Sequence, residues 1–263
     1  MSDLALAMRQ VRYTNKAFWR NPASAFFTFA FPLMFLVIFT ALFGNSEICS
    51  LGPGACPPGE MISTSTFYVA AIATFSIITA TYTNLAISVS FSRDAGVLKR
   101  TRGTPLPSWA FMFGRIWHAI MVALLLVAIV AAFGALFYDA EIPTRTLPAF
   151  LVTIVAGAAC FSALGLALTA VIPNAEAAPA VVNASILPLL FLSGIFIPIQ
   201  DPNAWYVTVA RLFPVYHFAE AMNAAYFVPA GSGFEAGNLL VLGAWGLAGA
   251  VLATLFFSWE PRR

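Results

Sequence analysis

The segment "RDAGVLKRTRGTPLP", residues Arg93 to Pro107, lies between two long apolar stretches and concentrates positive charge at one point of the chain. Hydrophobic residues make up 60% of the 263 residues and charged residues only 9%, whereas soluble domains carry about 25% charged residues. A soluble core of this size does not hide so many apolar side chains. The composition therefore predicts an integral membrane protein.

Six apolar stretches are long enough to cross a bilayer as helices, since about 20 residues at about 1.5 Å each span the hydrocarbon layer. These stretches predict an all-α, polytopic fold that forms a single membrane domain over residues 1–263. The predicted spans are 25–43, 66–90, 116–137, 147–172, 177–197 and 239–259.

The positive charges predict the orientation of these spans. An even number of spans places both termini on the same side of the membrane. Apart from Arg145 and Arg211, every Lys and Arg lies in the N-terminal segment, between Arg93 and Arg115, or at the C-terminus. Because positive loops stay in the cytoplasm, we expect both termini there and the chain in the inner, cytoplasmic membrane. The segment that begins at Arg93 would then act at least as a topology determinant.

Residues 1–22 predict an amphipathic helix that lies in the membrane interface and ends at Asn21-Pro22. The alternative is a short cytosolic tail. On a helix, one face carries Leu4, Met8, Val11 and Phe18, and the opposite face carries Arg9, Arg12, Lys16 and Arg20.

The loop after the first span, from Gly44 to Glu60, is rich in glycine and proline and contains Cys49 and Cys56. On an oxidising side of the membrane these two cysteines could form a disulfide, and the alternative is a pair of free thiols. Cys160 lies in an apolar stretch and is interpreted as a packing residue.

Residues 198–237 are only half apolar, and four prolines divide them. They predict two short re-entrant helices between the fifth and sixth spans, on or within the outer leaflet. His217 and Glu220 are three residues apart, a spacing that would place both on one helix face. Without further ligands nearby, we expect no metal there and interpret both as polar side chains at the headgroup region.

The sequence excludes several kinds of chemistry. It contains no phosphate-binding loop of the form G-x-x-x-x-G-K-[ST], and no Ser, His and Asp group indicates hydrolysis. We therefore expect no catalytic residue, no resident cofactor and no nucleic-acid partner. The predicted spans are almost free of charge, which disfavours an ion-coupled carrier or channel, because such proteins usually place carboxylates inside the membrane.

Hydroxyl and amide side chains in the second and fifth spans leave two interpretations open. They could pack helices together within or between subunits, or they could line a central route for an amphipathic substrate. Thr74, Thr81 and Ser88 are seven residues apart, which favours a common face. The candidate residues of the route are Thr74, Thr81, Asn84, Ser88, Asn183 and Ser193.

The order of these parts resembles the membrane subunits of ABC type-2 exporters over nearly the whole chain. Two stretches carry the resemblance. The first is similar to R-x-x-G-x-L-[KR]-x-x-x-x-[ST]-P-L-P, and the second, around "LSGIFIP" (Leu192 to Pro198), is similar to L-S-G-x-x-x-P. Both patterns belong to the family as a whole and indicate no substrate.

The resemblance implies that residues 93–107 form a coupling helix that docks on a separate cytoplasmic ATPase subunit, which binds ATP and Mg. It also implies two membrane subunits, identical or different, surrounded by lipid. The expected activity is export of a drug, lipid or glycolipid, with polysaccharide and small-ion export also open. The alternative is an ion-coupled secondary transporter or channel. Residues expected to couple to the ATPase are Arg93, Gly96, Val97, Leu98, Lys99, Arg100, Thr104 and Pro105.

Overall fold

The computed structural model describes residues 3–43, 47–49, 61–104, 106–199, 201, 203–227 and 232–260. Within these ranges the chain is mainly α-helical, with one π-helix and one two-stranded antiparallel hairpin. The predicted disulfide involves Cys56, which lies outside the described residues, so this pairing stays a prediction.

The helices and strands follow in chain order, and their bounds place every predicted segment. They are α1 (Asp3–Trp19), α2 (Pro22–Phe43), β1 (Glu47–Cys49), β2 (Met61–Ser63), α3 (Thr64–Ile78), the π-helix (Thr79–Thr83), α4 (Asn84–Asp94), α5 (Val97–Arg102), α6 (Ser108–Tyr138), α7 (Leu147–Leu168), α8 (Ala178–Leu192), α9 (Trp205–Ala210), α10 (Pro214–Phe227) and α11 (Ala236–Phe256).

Five helices are long and apolar enough to cross a membrane, and they overlap five of the six predicted spans. They are Ala25–Phe43, Thr64–Asp94, Trp109–Tyr138, Leu147–Leu168 and Ala236–Phe256. The remaining predicted span, 177–197, contains α8, which has only 15 helical residues. Helices α9 and α10 occupy the stretch between that segment and α11.

The second long helix, Thr64–Asp94, lies at the centre of the bundle, and most of its apolar window is buried by the other helices. Its first part, α3, packs against α2, α6 and α10. Ser63 caps its N-terminus by accepting a hydrogen bond from the backbone amide of Thr66. By contrast, α2 and α11 expose most of their apolar surface, as expected of helices whose solvent is lipid.

Helix α1 packs against the first turns of α6, where Gln10 lies against Gly114. Its buried side chains include Ala7 and Val11. Met8, which the sequence placed on the apolar face, is 59% exposed, so this placement was wrong. The packed face is centred about one residue away because Ala7 and Val11, four residues apart, meet α6.

The two ends of the bundle are distinct. At one end the close of α4, α7 and α11 meets α5 and the start of α6, in a cluster that contains Leu85, Leu98, Phe111, Leu166 and Ala253. We call this the α5 end. At the opposite end, the loop before α7 meets the close of α10, where the Thr146 hydroxyl donates a hydrogen bond to the Ala225 carbonyl oxygen.

Candidate functional site

Arg93, the first residue of the basic segment, is buried inside the chain with only 1% of its surface exposed. Its guanidinium donates hydrogen bonds to the carbonyl oxygens of Thr169 at 3.0 Å and Ile172 at 2.8 Å. A third, longer contact joins it to the Pro173 oxygen at 3.4 Å. These carbonyls follow the last turn of α7, where a helix leaves acceptors unpaired and the helix dipole favours a cation.

Asp94 completes this set of contacts. One of its carboxylate oxygens lies 3.4 Å from Arg93 Nε, and the other accepts a hydrogen bond from the Ala175 backbone amide at 2.5 Å. Arg93 and Asp94 together therefore attach the end of α4 to the turn between α7 and α8. We call this set of contacts the Arg93 network.

The chain turns sharply between the Arg93 network and α5. Gly96 adopts φ +69°, a left-handed conformation that L side chains adopt only with strain. This turn allows α5 to begin at Val97, directly after the buried end of α4. The two short segments therefore meet at an angle that a non-glycine residue would disfavour.

The coupling residues predicted on α5 divide into an exposed set and a buried set. Lys99, Arg100 and Thr104 are exposed, and Val97 is 44% exposed. Leu98, predicted as an apolar anchor for a partner, is instead fully buried in the α5-end cluster. Arg93 is buried as well, so the structure gives both side chains contacts within the chain. Pro105 lies outside the described residues.

A π-helix interrupts the second span at Thr79–Thr83. Such one-turn expansions are frequent at functional sites. Gly165 of α7 faces this turn, and a Cβ atom there would lie 2.8 Å from the Tyr82 carbonyl oxygen. Because only glycine leaves room for this approach, α7 packs directly on the expanded turn, and Tyr82 is held towards α8.

Tyr82 reaches α8 through a hydrogen bond to Ser185, with 2.8 Å between the two hydroxyl oxygens. The Ser185 hydroxyl itself donates to the Val182 carbonyl oxygen, so Tyr82 is the donor of the pair. Beside this contact lies an apolar cavity of about 590 Å³. We call it the apolar cavity; its walls include Phe161, Leu189, Phe213, Trp245 and Phe256.

The residues predicted to line a polar route are not gathered on one surface. Thr74, Thr81 and Ser193 are buried, and each hydroxyl donates to a carbonyl oxygen of its own helix. Asn84 and Ser88 line a second cavity, between the second span, α1 and α6. Asn183 is exposed on α8.

At the end opposite α5, His217 contacts the side chain of Asn238 and the carbonyl oxygen of Arg211. Burial raises the pKa of Glu220, and nearby Glu235 adds to this effect, while Arg211 and His217 act in the opposite direction. Among the residues that the structure describes, no group of three His, Cys, Asp or Glu side chains is arranged for a metal ion.

Sequence reasoning missed Tyr82, Ser185 and the internal contacts of Arg93. Tyr82 carried a signal, since a tyrosine hydroxyl within an apolar span needs a hydrogen-bond partner. The position of the π-helix had no such signal, because its residues, "TATYT", also fit an ordinary apolar helix.

Comparison with known proteins places the chain in a family. The ABC-2 type transporter family matches residues 5–227. A protein of Escherichia coli (strain K12) named as a multidrug ABC transporter permease, YbhR, is 26% identical over 142 residues, which are 54% of this chain and 38% of that protein. A protein of Porphyra purpurea named as a transport permease, ycf38, is 23% identical over 212 residues, 79% of this chain and 69% of that protein.

The matched region contains the basic segment, the π-helix, the apolar cavity up to α10 and four of the five long apolar helices. The chain spans about two fifths of the length of the Escherichia coli relative. With its long apolar helices, the chain is a multi-pass membrane protein, and it belongs to the ABC-2 type transporter family.

Proposed function

We propose that this chain is the membrane subunit of an ATP-driven exporter, and that a separate ATP-binding cassette subunit supplies the energy. The Arg93 network is the observation that carries the proposal. It attaches the segment next to α5 to the turn between α7 and α8, so a force on α5 reaches two other helices directly. A basic segment that served only to orient the chain would not need a buried arginine at its start.

The exposed part of α5 is suited to an acidic groove on the ATPase. Lys99, Arg100 and Arg102 are exposed and supply positive charge, which favours association with an acidic partner. Val97 adds an apolar contact at the same surface. In this arrangement Leu98 fixes α5 to the chain, while its neighbours contact the ATPase, where ATP and Mg bind.

The apolar cavity supports a hydrophobic or amphipathic substrate, such as a drug, lipid or glycolipid. Its described walls are mainly aliphatic and aromatic, and the Tyr82 and Ser185 hydroxyls supply polar groups. Its volume lies within the range of about 300–1,000 Å³ that is usual for small-molecule sites. A sugar chain would instead need many hydrogen-bonding groups.

Two membrane subunits, identical or different, would complete the exporter within the inner membrane, with both termini in the cytoplasm. Exposed Asn183 supports such pairing, because it lies on an otherwise mainly apolar surface of α8 and an amide gains from a partner in lipid. Asn183 and the buried hydroxyls of Thr74, Thr81 and Ser193 stay candidates for a route that a second subunit completes.

The experiment compares Leu189→Trp, which narrows the apolar cavity, with Leu255→Trp, which lies outside its described lining on the exposed surface of α11. Each variant is co-purified with its ATPase and reconstituted, and ATP-dependent export of a hydrophobic fluorescent dye is measured. We expect Leu189→Trp to lower export about tenfold with the complex assembled, and Leu255→Trp to export normally.

Normal export by an assembled Leu189→Trp complex would remove the apolar cavity from the substrate route. The alternative function, an ion-coupled carrier or channel, predicts a different result. In that case, transport would stop when the ion gradient is dissipated and would continue without ATP. The described long helices support ATP-driven transport instead, since Asp94, at the very end of the second span, is their only carboxylate.

A further inference from the structure

The second cavity, of about 620 Å³, lies at the α5 end between α1, the second span and α6. We call it the Arg115 cavity. One part of its wall is polar and includes Asn84, Ser88, Arg115 and His118. Another part is apolar, with Phe18 among its side chains. A cavity of this size with two kinds of wall suits an amphipathic molecule.

Arg115 gives the cavity a positive charge that its walls do not neutralise. The guanidinium donates hydrogen bonds to the Ser88 hydroxyl at 3.3 Å and the Ser92 hydroxyl at 3.1 Å, and it lies over the Phe111 ring. None of the described lining residues is Asp or Glu. The one salt bridge in the described part of the chain joins Arg93 to Asp94.

Two buried nitrogen atoms at this cavity also have no hydrogen-bond partner in the described structure. They are Nε of Arg115 and Nδ1 of His118, on successive turns of α6. A buried cation without an anion, next to unpaired polar atoms, is costly. The missing groups correspond to one ligand that carries negative charge and several acceptor oxygens.

The location indicates where that ligand comes from. Arg115 lies near the start of α6, and Ala119 and Val122 continue the cavity wall by two further turns, about 10 Å along the helix axis. A headgroup beside Arg115 would therefore have apolar wall on one side only, towards the middle of the bundle. This polarity matches a lipid that enters from the leaflet at the α5 end.

We propose that the Arg115 cavity binds the phosphate-bearing headgroup of an anionic phospholipid, with the phosphate beside Arg115 and the start of an acyl chain along Ala119 and Val122. The proposal is independent of the transported substrate. The lipid phosphate supplies the anion that the cavity walls lack, so anionic lipid would stabilise the packing of α1 on α6.

The test reconstitutes the purified protein, with any bound partner subunit, in equal parts phosphatidylglycerol and phosphatidylcholine. The protein is then extracted in a neutral detergent, and retained lipid is quantified by mass spectrometry. We expect about tenfold enrichment of phosphatidylglycerol, and its loss in Arg115→Gln, since charge-assisted hydrogen bonds to phosphate are the stronger kind. Arg12→Gln, an exposed arginine on α1, should retain the enrichment.

Ser88→Asp provides a second test if Arg115→Gln fails to fold. It places a carboxylate next to the guanidinium, so the cation no longer needs an external anion. We expect this variant to fold and to lose the preference for phosphatidylglycerol. Unchanged enrichment in Ser88→Asp, or equal losses in Arg115→Gln and Arg12→Gln, would overturn the proposal.

Inorganic phosphate separates a lipid site from a site for free anions. It is added during extraction at millimolar concentration. We expect it to leave the retained phosphatidylglycerol unchanged, because it makes no contact with the apolar wall. If it displaces the lipid completely from wild-type protein, the cavity recognises a free anion and the phospholipid proposal is wrong.

Discussion

Replacing Arg93 by methionine tests the Arg93 network most directly. Methionine keeps an unbranched apolar side chain and removes the guanidinium. The carbonyl oxygens of Thr169 and Ile172 then lose donors at 3.0 Å and 2.8 Å, and Asp94 loses its cation. Arg93 is almost fully buried, so water does not readily take the place of the lost donors.

The size of the effect follows from these contacts. A buried acceptor left without a donor costs about 1–3 kcal/mol, and removing one partner of a buried ion pair costs about 3–5 kcal/mol. Part of this cost is relieved, because Pro173 and Asn174 in the same turn are exposed. We therefore expect Arg93→Met to lower the free energy of unfolding by about 2–4 kcal/mol. Arg102→Met, which removes an exposed charge from α5, should change it by less than about 0.5 kcal/mol.

The assay is denaturant unfolding in a mild detergent, followed by circular dichroism, together with ATP hydrolysis and export by the reconstituted complex. Arg93→Met should also transport fewer molecules per ATP hydrolysed, since α5 would move without the turn between α7 and α8. Equal unfolding free energies in Arg93→Met and Arg102→Met would refute the energetic argument. A destabilised variant that still transports normally per ATP would show that the network is only structural.

Two further predictions concern the surface of α5 and the orientation of the chain. Val97→Asp should leave the unfolding free energy nearly unchanged and weaken co-purification of the ATPase, whereas Leu98→Asp should destabilise the fold, because Leu98 is fully buried; a Val97→Asp complex that assembles and hydrolyses ATP normally would contradict docking at this surface. A cysteine introduced at Asp139 should react with an impermeant thiol reagent added outside intact cells and one at Thr101 should not, so external labelling at Thr101 would reverse the proposed orientation.

The long apolar helices could be predicted from the sequence, because each corresponds to an uninterrupted apolar run. The segment 177–197 shows where this reasoning fails. Its run continues through "FLSGIFIPI" after the helix has ended at Leu192, and Gly194 adopts φ +77°. Hydropathy measures the preference for lipid and does not detect a left-handed glycine that ends a helix.

The polar residues of the second span show a different failure. A seven-residue spacing predicts a common face only while the helix keeps 3.6 residues per turn. The π-helix at Thr79–Thr83 adds about one residue to a turn, which rotates the following side chains by about 100°. Thr74 and Thr81 therefore point into the bundle, whereas Asn84 and Ser88 line the Arg115 cavity.

The basic segment was identified from its charge, but its charges do not share one environment. Arg93 ends a helix that is packed by its neighbours, while Arg100 and Arg102 follow the turn at Gly96 and are exposed. Composition alone treats these three arginines alike. Their difference depends on the carbonyl groups at the end of α7, which are brought to Arg93 by tertiary packing from about 80 residues further along the chain.

The second span joins the two sites of the proposed mechanism. Helix α4, with 11 residues, is about 16 Å long, and it runs from the π-helix to the Arg93 network. At one end Tyr82 is hydrogen-bonded to Ser185 in the middle of α8, and at the other Asp94 holds the turn that leads into α8. Because α4 contacts the α8 segment at two levels, a displacement of α5 would move both helices together. Helices α10 and α11, on the other wall of the apolar cavity, have no part in the Arg93 network, so this motion would change the width of the cavity.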